Sequence, residues 1–399
     1  MTQSAWPTAP AQDPPPVPIP FRLRVPDADL DELKARLART RWPDEAPDSP
    51  WAYGTSVDWL RSLVDYWRSG FDWRTHEAAL NAWPQFKVPL GGIDLHFLHV
   101  PGKGPAPLPL LLSHGWPGSV LEFMKLIPML TDPASHGADP ADAFTVVAPS
   151  LPGFCLSFAP GQPRLGCEAI ADVFAQLMTE VLGYRSFVAQ GGDWGAFITS
   201  RLAVSHPERL LGIHLNLLAL RRDPTPVANA SAAEQQYLRE LAIFLAEETG
   251  YQAIQGTRPQ TLAFGLTDSP AGLAAWIGEK FRAWSDCGGD PFRVFSRDEL
   301  LANISLYWLT GAIGSSFWPY YSRAHNPWPI PAGQRIEVPT AYAAFPREIL
   351  RPPRSLAEQT YNIQRWTEMP RGGHFAALEQ PDALARDIRT FFRPMRSRD

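Results

Sequence analysis

The stretch FVAQGGDWGAF at residues 187–197 joins an apolar run, a glycine-rich turn and a second apolar run with helical spacing. This small-x-nucleophile-x-small pattern is typical of a nucleophile elbow, a sharp turn from a strand into a helix. Asp193 occupies the central position, and aspartate tolerates a positive φ better than most residues. Gly191 and Gly195 remove side chains that would collide across the turn. The pattern therefore predicts Asp193 at the tip of an elbow.

The aspartate determines the chemistry that such an elbow can support. A carboxylate needs no base to activate it and can attack an sp³ carbon, which leaves an alkyl ester on the enzyme. The alternative is that Asp193 only caps the N-terminus of the following helix. This stretch alone leaves both interpretations open.

Length and composition restrict the class of protein. The 399 residues are enough for a core domain with insertions, and a net charge of −5 without a basic stripe argues against nucleic acid or an anionic membrane as partner. The 3 cysteines have no metal-ligand spacing and predict neither a disulfide framework nor a metal site. No apolar run is long enough to span a bilayer, and the N-terminus lacks a secretory signal. We therefore expect a cytoplasmic protein without a membrane anchor and, from its Arg, Ala and Pro bias, a bacterial one.

The pattern along the chain predicts an α/β fold. Residues 1–20 are rich in proline and predict an extended arm, and residues 21–92 are mostly helical. Strand and helix patterns alternate over 93–220, which indicates a mostly parallel sheet covered on both faces. The alternation stops over 221–335, a helical and aromatic-rich stretch, and returns over 336–399. We therefore predict an α/β core in two parts, interrupted by a helical insertion.

The loop His114-Gly115-Trp116-Pro117 is a candidate for part of an oxyanion hole. It follows a predicted strand, and such a loop in elbow folds supplies one backbone N–H. The residue after the nucleophile supplies the second, so the candidate donors are Trp116 and Trp194. Taken alone, the loop is equally typical of a tight turn rich in Gly and Pro.

A base and an acid are expected after the last strands, because elbow hydrolases keep the order nucleophile, acid, histidine. His374 is the only one of the 9 histidines between the last strand pattern and the last helix. Glu348 follows the preceding strand pattern. Glu358 and Glu368 are alternatives at less suitable positions, and Glu348 by itself could be an exposed first-turn glutamate. Found together and in order, Asp193, Glu348 and His374 predict a catalytic triad.

Five stretches of the chain together resemble the microsomal-type epoxide hydrolases, which include the juvenile-hormone epoxide hydrolases of insects. They read HGWPGSVLEF, SLPGF, GGDWG, YAAFPREIL and MPRGGHFAALEQP. The resemblance extends to PFRLRVPDADLDELKARLARTRWPD near the N-terminus and to DSPAGLAAWIGEKF in the insertion, so it covers nearly the whole chain. It implies an α/β-hydrolase core, a helical lid at 221–335 and an N-terminal epoxide-hydrolase segment at 21–92.

The resemblance also implies an activity and the residues that carry it. The family reaction opens an epoxide with water to give a vicinal diol, without cofactor or metal. Matched residue by residue, the family's nucleophile falls on Asp193, its base on His374 and its acid on Glu348. Two lid tyrosines that donate hydrogen bonds to the epoxide oxygen fall on Tyr251 and Tyr320. The expected partners are therefore a small-molecule epoxide and water.

The second lid tyrosine has a neighbouring alternative, Tyr321. Spacing from the pair Ser315-Ser316 favours Tyr320. A phenol has a pKa near 10, so at neutral pH it is protonated and can donate to a developing alkoxide.

Two other functions are compatible with the elbow. A haloalkane dehalogenase uses the same aspartate, but it requires halide-binding side chains and no tyrosine pair. A hydrolase fold can also serve as a binding protein, since fold does not imply function. The sequence leaves open the oligomeric state, a homo-oligomer included, and the choice between a detoxifying and a biosynthetic role. Its aromatic content favours a hydrophobic or aryl epoxide.

Overall fold

The computed structural model describes residues 16–47, 50–223 and 229–396. Its strands are β1 (Ile19–Pro20), β2 (Gln85–Leu90), β3 (Ile93–Val100), β4 (Leu108–Ser113), β5 (Phe144–Pro149), β6 (Phe187–Gly191), β7 (Leu210–Leu215), β8 (Ile336–Ala344) and β9 (Tyr361–Glu368). Over these residues they form one sheet in the order β1-β2-β3-β5-β4-β6-β7-β8-β9. The strands from β5 to β9 in this order pair in parallel, and β1, β2 and β3 add an antiparallel edge. The predicted, mostly parallel sheet is confirmed.

Helices before and between the strands pack on this sheet and on each other. They are α1 (Asp27–Ala38), α2 (Val57–Ser69), α3 (Trp73–Asn81), α4 (Leu126–Thr131), α5 (Cys167–Gln176) and α6 (Asp193–Ser205). The described chain closes with α13 (Arg354–Thr360), α14 (Ala376–Glu379) and α15 (Pro381–Phe392); α7 to α12 belong to the insertion and are given below. Strand β6 is buried along its whole length because it lies inside a parallel sheet, which explains its apolar run Phe187-Val188-Ala189.

The predicted helical insertion lies between β7 and β8. It contains α7 (Ala232–Glu247), α8 (Gly250–Thr257), α9 (Pro259–Asp268), α10 (Pro270–Trp284), α11 (Arg297–Thr310) and α12 (Trp318–His325). Two of these helices begin with capping boxes, formed by Ser231 with Glu234 and by Ser296 with Glu299. Helix α10 packs against α1 and α2, so the insertion is braced by the N-terminal helices.

Two details differ from the sequence pattern. Strand β2, which the pattern did not predict, pairs antiparallel with β3 across the predicted domain boundary at residue 92. The stretch 119–130, where the residue pattern is helical, is instead a 3₁₀ turn, Val120–Phe123, followed by the short α4. Both depend on tertiary partners: β2 gains its hydrogen bonds from β1 and β3, and the 3₁₀ turn buries Val120 and Phe123. The domain boundaries themselves stay predictions, and most of the proline-rich arm lies outside the described residues.

Across the described parts of the chain, every helix is too short or too polar to cross a lipid bilayer.

Candidate active site

The elbow stretch folds as a sharp turn between β6 and α6. Asp193 is the first residue of α6 and has a φ of 46°, a value that few side chains other than Asp and Asn adopt. A Cβ on Gly195 would lie 1.9 Å from the Ser113 carbonyl oxygen, and a Cβ on Gly191 would lie 2.3 Å from the Gly195 carbonyl oxygen. Both glycines are therefore required by close backbone contacts, and the predicted elbow geometry is confirmed.

The Asp193 carboxylate points away from its own helix and towards the loop after β4. The Trp116 backbone N–H donates to Asp193 Oδ1 at 2.7 Å. This contact arises because β4 and β6 are parallel neighbours, so the loops at their carboxyl ends meet. Trp194, the other predicted donor, is the next residue of α6, where the first N–H groups of a helix lack helical partners.

The predicted base and acid meet Asp193 at the same edge of the sheet. His374 Nε2 lies 3.3 Å from Asp193 Oδ2, and His374 Nδ1 lies 2.6 Å from Glu348 Oε1. Glu348 follows β8 and His374 follows β9, and these two strands lie beyond β7 in the parallel sheet. Glu348 Oε1 also accepts the Ile349 backbone N–H at 2.7 Å, which fixes the carboxylate.

The two alternative acids, Glu358 and Glu368, and the strand residue His96 lie elsewhere. Glu358 is exposed and pairs with Arg354 at 2.6 Å, and Glu368 is exposed at the end of β9. His96 is buried in the sheet between Ser150 and Gln85.

The two predicted tyrosines come from different helices of the insertion and cover the Trp116 loop. Tyr251 on α8 stacks on the Trp116 ring, with centroids 5.5 Å apart and an interplanar angle of 11°. Tyr320 on α12 contacts the same ring edge-on at 5.7 Å, and the Tyr251 and Tyr320 rings are also 5.7 Å apart. Tyr321 turns away and stacks on Trp318 and His325. The structure thus places Tyr320, and not Tyr321, beside the elbow.

Charge and burial set the protonation of these groups. Burial lowers the pKa of His374, but the Glu348 charge and the hydrogen bonds with Asp193 and Glu348 outweigh it and raise that pKa well above its usual value. Burial is the main cause that raises the pKa values of Tyr251 and Tyr320 above that of a free phenol. Both phenols therefore stay protonated and able to donate at neutral pH.

Comparison with known proteins shows which family has this arrangement. Residues 18–123 match the family model described as "Epoxide hydrolase N terminus", and residues 109–256 match "alpha/beta hydrolase fold". A protein of Stigmatella aurantiaca, whose name places it among the epoxide hydrolases, is 46% identical over 95% of this chain and 86% of its own length. Juvenile hormone epoxide hydrolase 2 of Ctenocephalides felis is 39% identical over 92% of this chain and 84% of its own.

The chain belongs to the epoxide hydrolase family.

The epoxide hydrolase of Aspergillus niger shows the same architecture in a solved structure. It superimposes with a TM-score of 0.82 at 32% identity, covering 94% of this chain and 96% of the other. The predicted α/β-hydrolase fold and family resemblance are therefore confirmed.

The sequence reasoning missed Glu122, a further acid at the site of this hydrolase. Glu122 lines a small cavity of about 20 Å³ together with Asp193, His374 and Gln190. Burial raises the pKa of Glu122 to about 8, with the Asp193 charge adding to the shift and His374 opposing it. A cavity of this size holds one water molecule. The residue stands within the quoted motif HGWPGSVLEF, but only its position in space shows that it faces the elbow.

A second missed acid, Glu379, fixes the loop that carries the histidine. Its two carboxylate oxygens accept the backbone N–H groups of Gly373 and Phe375, each at 3.0 Å. These residues flank His374 on both sides, so Glu379 fixes the backbone that carries the imidazole.

Proposed function

We propose that this hydrolase converts an epoxide into a vicinal diol in two steps, through a covalent ester on Asp193. The observation that supports this most directly is a carboxylate at the elbow, held by the Trp116 N–H on one oxygen and adjacent to His374 at the other. A carboxylate that attacks carbon gives an ester, which a histidine-activated water can then hydrolyse.

In the first step the free electron pair of Asp193 forms a bond to one epoxide carbon. The carbon–oxygen bond of the ring breaks, and its electron pair moves to the epoxide oxygen. Tyr251 and Tyr320 donate hydrogen bonds to that oxygen, and one phenol gives up its proton to form the hydroxyl group. The overall source of the proton that restores this phenol is the imidazolium of His374.

Ester formation itself prepares His374 for the second step. In the free enzyme the Asp193 hydrogen bond and charge help to raise the His374 pKa, which favours the charged imidazole. The ester is neutral, so both contributions are lost and the pKa of His374 falls. The neutral imidazole, which can accept a proton, is therefore populated only after the ester has formed, when the second step needs a base.

In the second step His374 takes a proton from water, and the resulting hydroxide adds to the carbonyl carbon of the ester. The Trp116 and Trp194 N–H groups stabilise the negative charge on the tetrahedral intermediate. The intermediate releases the diol oxygen, which takes the proton from His374. The remaining proton on the restored carboxyl group passes to His374 and regenerates the charged pair. The cavity beside Glu122 is suited to hold the water.

The walls of the site support a proposal for the substrate class. Trp116 is surrounded by the rings of Tyr251, Trp284, Phe317 and Tyr320. Such walls bind apolar and aromatic groups, which favours a hydrophobic or aryl epoxide. We further propose that the insertion, residues 221–335, acts as a lid. The cytoplasmic location and the bacterial origin stay predictions from the sequence, and the oligomeric state stays open.

Oxygen isotopes test the two-step mechanism. A single turnover with excess enzyme in ¹⁸O-water should give unlabelled diol and labelled peptide containing Asp193, because the new hydroxyl oxygen comes from the carboxylate. Multiple turnovers should give labelled diol. Label in the first-turnover diol would show that water attacks the epoxide directly and that Asp193 acts as a general base.

A further inference from the structure

Two polar side chains of the insertion connect the Tyr251 hydroxyl to a guanidinium group. Gln252 Nε2 lies 2.9 Å from the Tyr251 hydroxyl, and Arg323 Nη2 lies 3.0 Å from Gln252 Oε1. Gln252 is on α8 and Arg323 is on α12, the helix that carries Tyr320. The Arg323 guanidinium packs against the rings of Trp194 and Trp328, at 5.7 and 5.5 Å from their centroids. The connection therefore joins the two helices that supply the tyrosines.

The chemistry of these groups fixes the direction of each hydrogen bond. Arginine has only donors, so the Gln252 carbonyl oxygen must face Arg323 and the Gln252 amide nitrogen must face Tyr251. The amide nitrogen is in turn only a donor, so the Tyr251 oxygen must accept there. The Tyr251 proton is consequently left for another partner, and the Tyr251 ring adjoins Tyr320 and Trp116, whose backbone N–H binds Asp193.

We propose that Gln252 and Arg323 are positioning residues that direct the Tyr251 proton towards the epoxide oxygen. This rests on the proposed donor role of Tyr251 in ester formation. A phenol that already accepts a hydrogen bond has no alternative acceptor for its own proton on that side, so it is preorganised as a donor. When the phenol transfers its proton, the Gln252 N–H stabilises the negative charge left on the Tyr251 oxygen, and Arg323 polarises the amide that does so.

Gln252→Glu tests the direction of the hydrogen bond while keeping the shape of the side chain. A carboxylate would still pair with Arg323, but it can only accept, so it would take the Tyr251 proton away from the substrate. Gln252→Met removes the donor without offering an acceptor. We expect Gln252→Glu to slow ester formation by roughly tenfold or more, the cost of a misdirected hydrogen bond at the reacting oxygen, and Gln252→Met to slow it less.

The measurement is the pre-steady-state rate of ester formation, with the rate of ester hydrolysis recorded in the same experiment. Both Gln252 variants should leave ester hydrolysis close to the wild-type rate. Gln260→Glu on α9 places the same charge at an exposed position of the insertion and serves as the matched control. It should leave both rates unchanged. Arg323→Met should slow ester formation in the wild-type background and add nothing to Gln252→Met.

A double variant with Tyr251→Phe separates positioning from packing. With the phenol removed there is no proton to direct, so Gln252→Glu should have no further effect.

Equal slowing by Gln252→Glu and Gln252→Met, persisting in the Tyr251→Phe background, would overturn the proposal in favour of a packing role. A Gln252→Glu rate equal to wild type, beside a slow Tyr251→Phe, would overturn the proposal and leave the donor role of Tyr251 intact. A wild-type rate for Tyr251→Phe alone would reject the donor role and the proposal with it.

Discussion

Gly115→Ala is a single methyl substitution that should move the nucleophile. A Cβ built on Gly115 lies 2.2 Å from Asp193 Oδ1, 2.3 Å from Asp193 Cβ and 2.6 Å from Asp193 Cγ. Non-bonded heavy atoms rest at about 3.5–4.0 Å, so the Asp193 side chain or the Trp116 loop must shift by roughly 1 Å or more. The hydrogen bond from Trp116 N, now 2.7 Å, would lengthen beyond the range of about 2.7–3.2 Å for a hydrogen bond.

The expected cost follows from this displacement. A misplacement of about 1 Å at the reacting atoms costs roughly 10²-fold, and loss of one oxyanion donor costs about 10²–10³-fold. We therefore expect ester formation in Gly115→Ala to fall by about 100-fold because the nucleophile is displaced, and ester hydrolysis to fall as well because the Trp116 donor is displaced from the oxyanion. The assay is single-turnover kinetics with excess enzyme, with adduct formation followed by intact-protein mass.

A matched glycine separates this effect from general destabilisation. Gly265 lies in α9, and a Cβ there would meet nothing within 4 Å, so Gly265→Ala should keep the wild-type rate. Thermal unfolding of both variants checks that the fold persists. A folded Gly115→Ala enzyme that forms the ester at the wild-type rate would show that the Asp193 position is not critical, and the reasoning would fail.

Three further predictions follow from the same site. Asp193→Ala should keep the fold but lower turnover by ~10⁴–10⁶, and appreciable steady-state diol formation would reject the nucleophile. His374→Gln should accumulate the ester, so intact-protein mass should rise by the full mass of the epoxide, because ring opening expels no group; slow diol formation without an adduct would contradict this. Folding raises the pKa of Glu122 from 4.5 to about 8, so its contribution to stability is fully present below pH 4.5 and is lost as the pH rises through about 8. The unfolding temperature of Glu122→Gln should therefore rise relative to wild type between pH 5 and pH 9, and a constant difference would refute the assigned shift.

The sequence predicted the reacting groups because local chemistry restricts them strongly. A residue at positive φ between two tightly packed glycines can be read from GGDWG, since few residues tolerate that backbone. The order nucleophile, acid, histidine follows from a parallel sheet, whose strand ends meet at one edge. Asp193, Glu348 and His374 were therefore predictable as neighbours before any distance was known.

Only the tertiary structure decided which other residues join them. Glu122 is one of 41 acidic residues, and nothing in its local sequence shows that a 3₁₀ turn brings it to the elbow. The bond from Arg323 to Gln252 spans 71 positions of the chain and exists only because α8 and α12 pack together. Tyr320 and Tyr321 are adjacent in sequence, and the rotation of α12 alone turns one to Trp116 and the other to Trp318. A short stretch of sequence determines the local backbone constraints. Burial, pKa shifts and hydrogen-bond direction depend instead on what the fold places around each side chain.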